Sequence, residues 1–128
     1  IHISEGTNLP SGEKISAIRD IIDDQLLGIM LSCVSPENFE INLKELKNLN
    51  VPFGFKVNAF VTTKPKDGYT STFTKSNGNP NEFLGQREDL TPQKVGELAR
   101  NFHNNGATII GGCCETRPSH IEAMANTI

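Results

Sequence analysis

Extended apolar segments and amphipathic helical stretches alternate four times along the chain, and this order constrains the fold more than any other feature of the sequence. The short segment Ile1-His2-Ile3 comes first. Ser11 is then placed to cap a helix in which Ile15, Ile18 and Ile22 recur on one face, ending near Gln25. Leu26 to Leu31 is a continuous apolar run of strand length, the pattern of a strand covered on both faces, and Cys33 follows it. Ser35 and Pro36 supply a cap and a first-turn proline for a second helix carrying Phe39, Leu43, Leu46 and Leu49, with Asn50 as its stop. Val51 to Phe60 is the next strand. Thr91-Pro92 opens a third helix, where Val95, Leu98, Ala99 and Phe102 share a face and Asn105-Gly106 ends it. Ala107 to Ile110 is a short strand running into Gly111-Gly112-Cys113-Cys114, after which Thr116 and Pro118 begin a last helix with Ile121 and Met124.

Strand-helix alternation of this kind implies an α/β protein with parallel strands and right-handed crossovers. Two architectures meet that description: a small open doubly wound sheet, and about half of a (β/α)8 TIM barrel, whose usual size of about 250 residues is roughly twice this chain. The start at Ile1, inside an apolar segment and without Met, is what a chain cut within a larger fold would have, and it favours the half barrel.

With 128 residues the chain has room for one domain unit. Twelve Lys and Arg against fifteen Asp and Glu, without long runs, provide no basic footprint for nucleic acid or an anionic membrane. No apolar run is long enough to span a bilayer and the N-terminus lacks signal-peptide regions, so a soluble, cytoplasmic protein is expected. The stretch Val61 to Leu90 is rich in Thr, Lys, Gly, Asn and Pro without a period, and reads as an excursion near the active-site edge, with Phe73 and Phe83 as anchors of a lid or as part of a plain surface loop.

All three cysteines, Cys33, Cys113 and Cys114, fall at the C-terminal ends of expected strands, the edge at which parallel α/β folds place their chemistry. An odd number with two adjacent argues against a disulfide scaffold. Zinc favours soft thiolates, and three protein ligands with one open position is a catalytic arrangement. Buried apolar thiols are the plainer alternative. His120 is close by in sequence, but its place in the first turn of a helix suits a hydrogen-bonding role, and it is left outside the metal set.

The segment Gly111-Gly112-Cys113-Cys114-Glu115-Thr116-Arg117-Pro118-Ser119-His120-Ile121 resembles the homocysteine S-methyltransferase family. Ser32-Cys33-Val34-Ser35-Pro36 is similar to the family's other zinc-ligand segment, and Val57-Asn58-Ala59 to a short asparagine motif. The resemblance implies that the chain is the C-terminal half of the family's barrel, roughly its fifth to eighth β/α units, with Cys33, Cys113 and Cys114 as the ligands of Zn2+. It further implies transfer of a methyl group from a donor the sequence does not identify to the sulfur of homocysteine, giving methionine. Ser32 stands where the family usually has Asn, and Glu115 where Gly is common. A half barrel leaves strand edges unpaired, so pairing with a second copy is one way to close it. A non-catalytic zinc-binding fragment or interaction module is the competing reading, and the absence of Cys-x-x-Cys spacing argues against a redox thiol protein.

Overall fold

The structure, a computed structural model, describes residues 1–3, 6–62 and 84–128. Strands β1 (Ile29–Val34), β2 (Phe53–Val57) and β3 (Ile109–Gly112) lie side by side in chain order, and both pairings are parallel. A helix joins each strand to the next: α1 (Pro36–Asn48) after β1 and α2 (Pro92–Asn104) after β2, with α3 (Pro118–Thr127) following β3. Before β1, His2 bridges Ser32 in parallel, and the Ser32 N–H donates to the Ile1 carbonyl at 2.8 Å. The expected first strand is thus a single bridge that continues the same sheet direction.

The helix starts follow local chemistry. Ser35 Oγ accepts from the Asn38 N–H at 3.2 Å and Thr91 Oγ1 accepts from the Lys94 N–H at 3.2 Å, each just ahead of a first-turn proline. At the other end of α2, Gly106 takes a φ of 100°, a left-handed conformation open to glycine, and its N–H closes the turn on the His103 carbonyl.

Helices cover one face of the sheet, and three phenylalanines define the contact. Phe39 of α1, Phe55 of β2 and Phe102 of α2 are at most 1% exposed, with ring centroids 4.8 to 5.1 Å apart in tilted and edge-on arrangements. Because side chains alternate along a strand, Phe55 facing the helices sends Lys56 to the opposite face, where it lies over Gly111. Strands β2 and β3 approach so closely that a Cβ at Gly54 would overlap the Ile109 carbonyl.

Several expected elements change their limits. The segment expected as a helix capped by Ser11 and ending near Gln25 is a 3-10 helix, Ile15–Ile21, preceded by Lys14 without a side-chain cap. Ser11 is instead part of a turn closed by the Gly12 N–H on the Leu9 carbonyl, with Gly12 at a φ of 104°. The strand expected at Leu26 to Leu31 starts three residues later: Leu27 is 90% exposed, and Ile29, paired with Phe53, is the first residue in register. That shift places Cys33 inside β1 and not after it. The strand expected from Val51 to Phe60 is limited to Phe53–Val57, and β3 extends through both glycines. Ile121, expected on the apolar face of the last helix, is 45% exposed, whereas Met124 is buried. Residues 63–83, including Phe73 and Phe83, lie outside the described residues, and with them the expected lid. No described helix is long and apolar enough to cross a membrane.

Removing a ring from the aromatic cluster leaves a cavity that the packed helices cannot refill. Phe102→Ala is expected to lower unfolding free energy by about 3–5 kcal/mol in denaturant titrations, while Leu27→Ala on the surface stays within about 0.5 kcal/mol of the original chain.

Candidate metal centre

Strand β1 takes three residue steps from Leu31 to Val34 where β2 takes two from Phe55 to Val57, so one extra residue is accommodated as a β-bulge. Cys33 occupies it, at a φ of 56° that a residue with a side chain seldom adopts. The bulge is held from both ends. The Asn58 N–H donates to the Val34 carbonyl at 2.8 Å, and Asn58 Nδ2 donates to Cys33 Sγ at 3.3 Å. Asn58 itself is 2% exposed and fixed by the Phe60 N–H, which donates to its Oδ1 at 2.8 Å.

The other two sulfurs come from the turn after β3. Cys113 donates its N–H to the Val57 carbonyl, and the Ala59 N–H donates to the Cys114 carbonyl at 3.0 Å. The Cys113 carbonyl accepts from both the N–H and the Oγ1 of Thr116. Glu115 turns the chain at a φ of 59°. A left-handed residue is required there, which explains why glycine suits this position and shows that Glu115 meets the same backbone demand.

Together these constraints bring Cys33 Sγ to 3.5 Å from Cys114 Sγ, Cys113 Sγ to 3.8 Å from Cys114 Sγ, and all three within 4.8 Å of one another. All are free and half-buried. A tetrahedral zinc site with bonds of about 2.3 Å has sulfur-sulfur edges of about 3.8 Å, so the three sulfurs fit one ion with little movement. Among the described residues this is the group of Cys, His and carboxylate side chains that could hold a metal.

The protons on this cluster are not shared equally. Partial burial and hydrogen bonds with the other two sulfurs push the Cys33 thiol up to about 12. Burial also opposes ionisation of Cys113, but it is outweighed by hydrogen bonds from Cys33, the Cys114 N–H and Cys114, and by the charge of Lys56, so that thiol falls below its ordinary value. Burial, with the neighbouring Cys113, raises Cys114.

His120 stands apart, as expected from its place in the sequence. It is 6% exposed, its Nδ1 accepts from the Arg117 N–H at 3.0 Å, and its Nε2 lies 3.0 Å from the Leu90 carbonyl. A neutral ring protonated on Nε2 satisfies both bonds and leaves no lone pair for a metal. Ser32 contributes its backbone to the bridge with His2. Two residues near the cluster escaped the motif reading. Lys56 was detectable as the one charged residue in an otherwise apolar strand; Arg87 lay in a stretch without period.

Residues 1–128 match the homocysteine S-methyltransferase family. Homocysteine S-methyltransferase YbgG of Bacillus subtilis is 26% identical over 125 residues, covering 98% of this chain and 34% of that protein. Homocysteine S-methyltransferase 1 of Zea mays is 25% identical over 126 residues, covering 97% of this chain and 35% of the relative. The protein of the same name from Brassica oleracea var. italica is 23% identical over a stretch of the same length. The chain spans about a third of the length of these relatives.

The unequal thiols lead to an order of reaction in the reduced chain after treatment with chelator. A thiol with a lowered pKa has more thiolate at pH 8 than one raised to about 12. Limiting iodoacetamide followed by peptide mass spectrometry is expected to modify Cys113 ahead of Cys33 and Cys114. Labelling of Cys33 ahead of Cys113 would contradict the proton distribution.

Proposed function

Because the chain belongs to the homocysteine S-methyltransferase family, we propose that it carries the metal centre of an enzyme that methylates the sulfur of homocysteine to give methionine, with Zn2+ held by Cys33, Cys113 and Cys114. The observation that carries this reading is the convergence of three thiols from two strand ends, at separations suited to one tetrahedral ion. Bound zinc supplies a Lewis acid that keeps an incoming thiol ionised at neutral pH.

The rest of the chemistry falls to the chain. Cys33, Cys113 and Cys114 would hold the ion as thiolates, and a position would remain on it for an exogenous sulfur. Asn58, through its bond to Cys33, fixes the direction of one ligand, as groups behind a metal ligand commonly do. Lys56 places a positive charge on the open face of the sheet, where its field reaches Cys113 and offsets part of the thiolate charge. In the transfer, the new bond joins sulfur to the methyl carbon and the donor leaves with the electron pair of the broken bond. The thiol proton is released to solvent. A sulfonium, a quaternary ammonium or a methylated folate meets the requirement for the donor.

We place the chain as the last four β/α units of a (β/α)8 barrel. In support, the strands follow chain order without the reversal that marks a doubly wound sheet, and the bridge of His2 to Ser32 extends the series in the same direction. The face bearing Lys56 and Gly111 would then look into the barrel. Its remaining units would supply the groups that hold the amino-acid end of homocysteine.

Three measurements test the proposal. The intact protein purified without chelator is expected to contain one zinc, and Cys→Ser changes at positions 33, 113 and 114 are expected to lose it. Zinc affinity should fall as pH is lowered, because binding displaces thiol protons. Homocysteine with S-methylmethionine, betaine or methylfolate should yield methionine from the intact protein and none from the isolated 128-residue chain. Full zinc occupancy in the triple serine variant would remove the metal assignment; equal turnover by the isolated chain would remove the division of labour.

A further inference from the structure

Cys33 is held in a conformation that its own residue type disfavours. Non-glycine residues in the left-handed region persist where the surroundings over-determine them, so what surrounds this bulge decides where its sulfur lies. On one side is Asn58. On the other, β1 passes directly into α1 through Val34 and the capping Ser35. The first turn of that helix carries Glu37, whose Oε2 and Oε1 accept from Arg87 Nη1 and Nη2 at 2.7 and 2.8 Å.

Arg87 belongs to a different part of the chain. Its backbone N–H donates to the Ala59 carbonyl at 2.8 Å, and Ala59 in turn donates its N–H to the Cys114 carbonyl. Its guanidinium also donates from Nη2 and Nε to Asp89 at 2.6 and 3.1 Å. Hydrogen bonding to Arg87 keeps both the Glu37 and the Asp89 carboxyl below the ordinary carboxylate range. Single surface ion pairs contribute little to stability, but the Arg87 side chain is only 19% exposed and meets Glu37 as a two-pronged pair within a three-charge group, the case in which geometry counts. A continuous set of bonds therefore runs from the Cys114 carbonyl through Ala59 and Arg87 to the helix that begins two residues after Val34.

We propose that Arg87 is a positioning residue for the metal centre: by clamping the first turn of α1 to the segment after β2, it holds Cys33 in its strained conformation with the sulfur near that of Cys114. This rests on the reading of the three cysteines as a metal site. Loss of the clamp lets the bulge relax toward ordinary strand geometry and draws one ligand away from the other two.

The test uses the intact protein loaded with cobalt(II), whose thiolate absorption reports ligand geometry, and measures the rate of cobalt release to excess chelator. Arg87→Met and Glu37→Gln are each expected to speed release about tenfold, the lower end of the effect of groups that orient metal ligands, and to alter the thiolate-to-cobalt band. The double variant should release no faster than either single one. Arg87→Lys, which keeps the charge but not the fork, should fall between Arg87→Met and wild type. Should Arg87→Met fail to fold, Glu37→Gln, which preserves size and shape, decides the matter. Wild-type release rates and an unchanged band in Glu37→Gln would overturn the clamp, as would a loss of metal-free stability that leaves the band unmoved. A wild-type protein that binds no cobalt would overturn the metal reading and this proposal with it, whereas cobalt binding with indifferent variants would overturn the clamp alone.

Discussion

Strand β2 lies between the two sources of sulfur, and its hydrogen bonds to both neighbours are the constraint on which the site depends. Val57 receives the Cys113 N–H, Asn58 gives its N–H to Val34, and Ala59 gives its N–H to Cys114. Parallel pairing in register brings the C-terminal ends of β1 and β3 to one edge, although Cys33 and Cys114 are 81 positions apart in the sequence. Antiparallel pairing would have sent either Cys33 or the Cys113-Cys114 pair to the opposite end of the sheet.

Stability and chemistry are separated along these same strands. The helix-facing side is closed by Phe39, Phe55 and Phe102, which bury large apolar surface and bring the crossover helices against the sheet. Polar and strained residues gather at and beyond the C-terminal ends of the strands: Cys33, in the bulge of β1, and Glu115 in left-handed conformations, the buried Asn58, and the Arg87 group. Such concentration of strain at an edge backed by a rigid apolar layer is common where backbone geometry serves a site. The aromatic core supplies the fixed frame, and the bulge uses it to aim a sulfur.

Much of this was legible in the residues. Ser35-Pro36 and Thr91-Pro92 mark helix starts through chemistry that acts within a few residues, and α1 and α2 begin where those pairs place them. The period of Val95, Ala99 and Phe102 likewise identifies the buried face of α2. Local reasoning failed where a distant partner decides. Leu26 and Leu27 look like strand, but pairing with Phe53 starts the register at Ile29. Ile15, Ile18 and Ile22 suggest an α-helix; the turn around Gly12 takes Ser11 away from its capping role, and a 3-10 helix results. The cysteine positions pointed to one shared edge of the sheet, where the three sulfurs do meet, yet the bulge that orients Cys33 and the bond from Asn58 depend on β2. The link Arg87 makes to α1 and to the segment after β2 gave no local signal, because Glu37 and Ala59 are far off in the chain and only Asp89 is near in sequence.

If three sulfurs from these strand ends hold one zinc, as proposed, they leave a place for a fourth. Zinc-edge X-ray absorption on the intact protein measures the number and type of ligands directly. Three sulfur scatterers at about 2.3 Å are expected in the resting protein, rising to four when homocysteine is added. A shell with fewer than three sulfurs, or one that does not change with homocysteine, would contradict it.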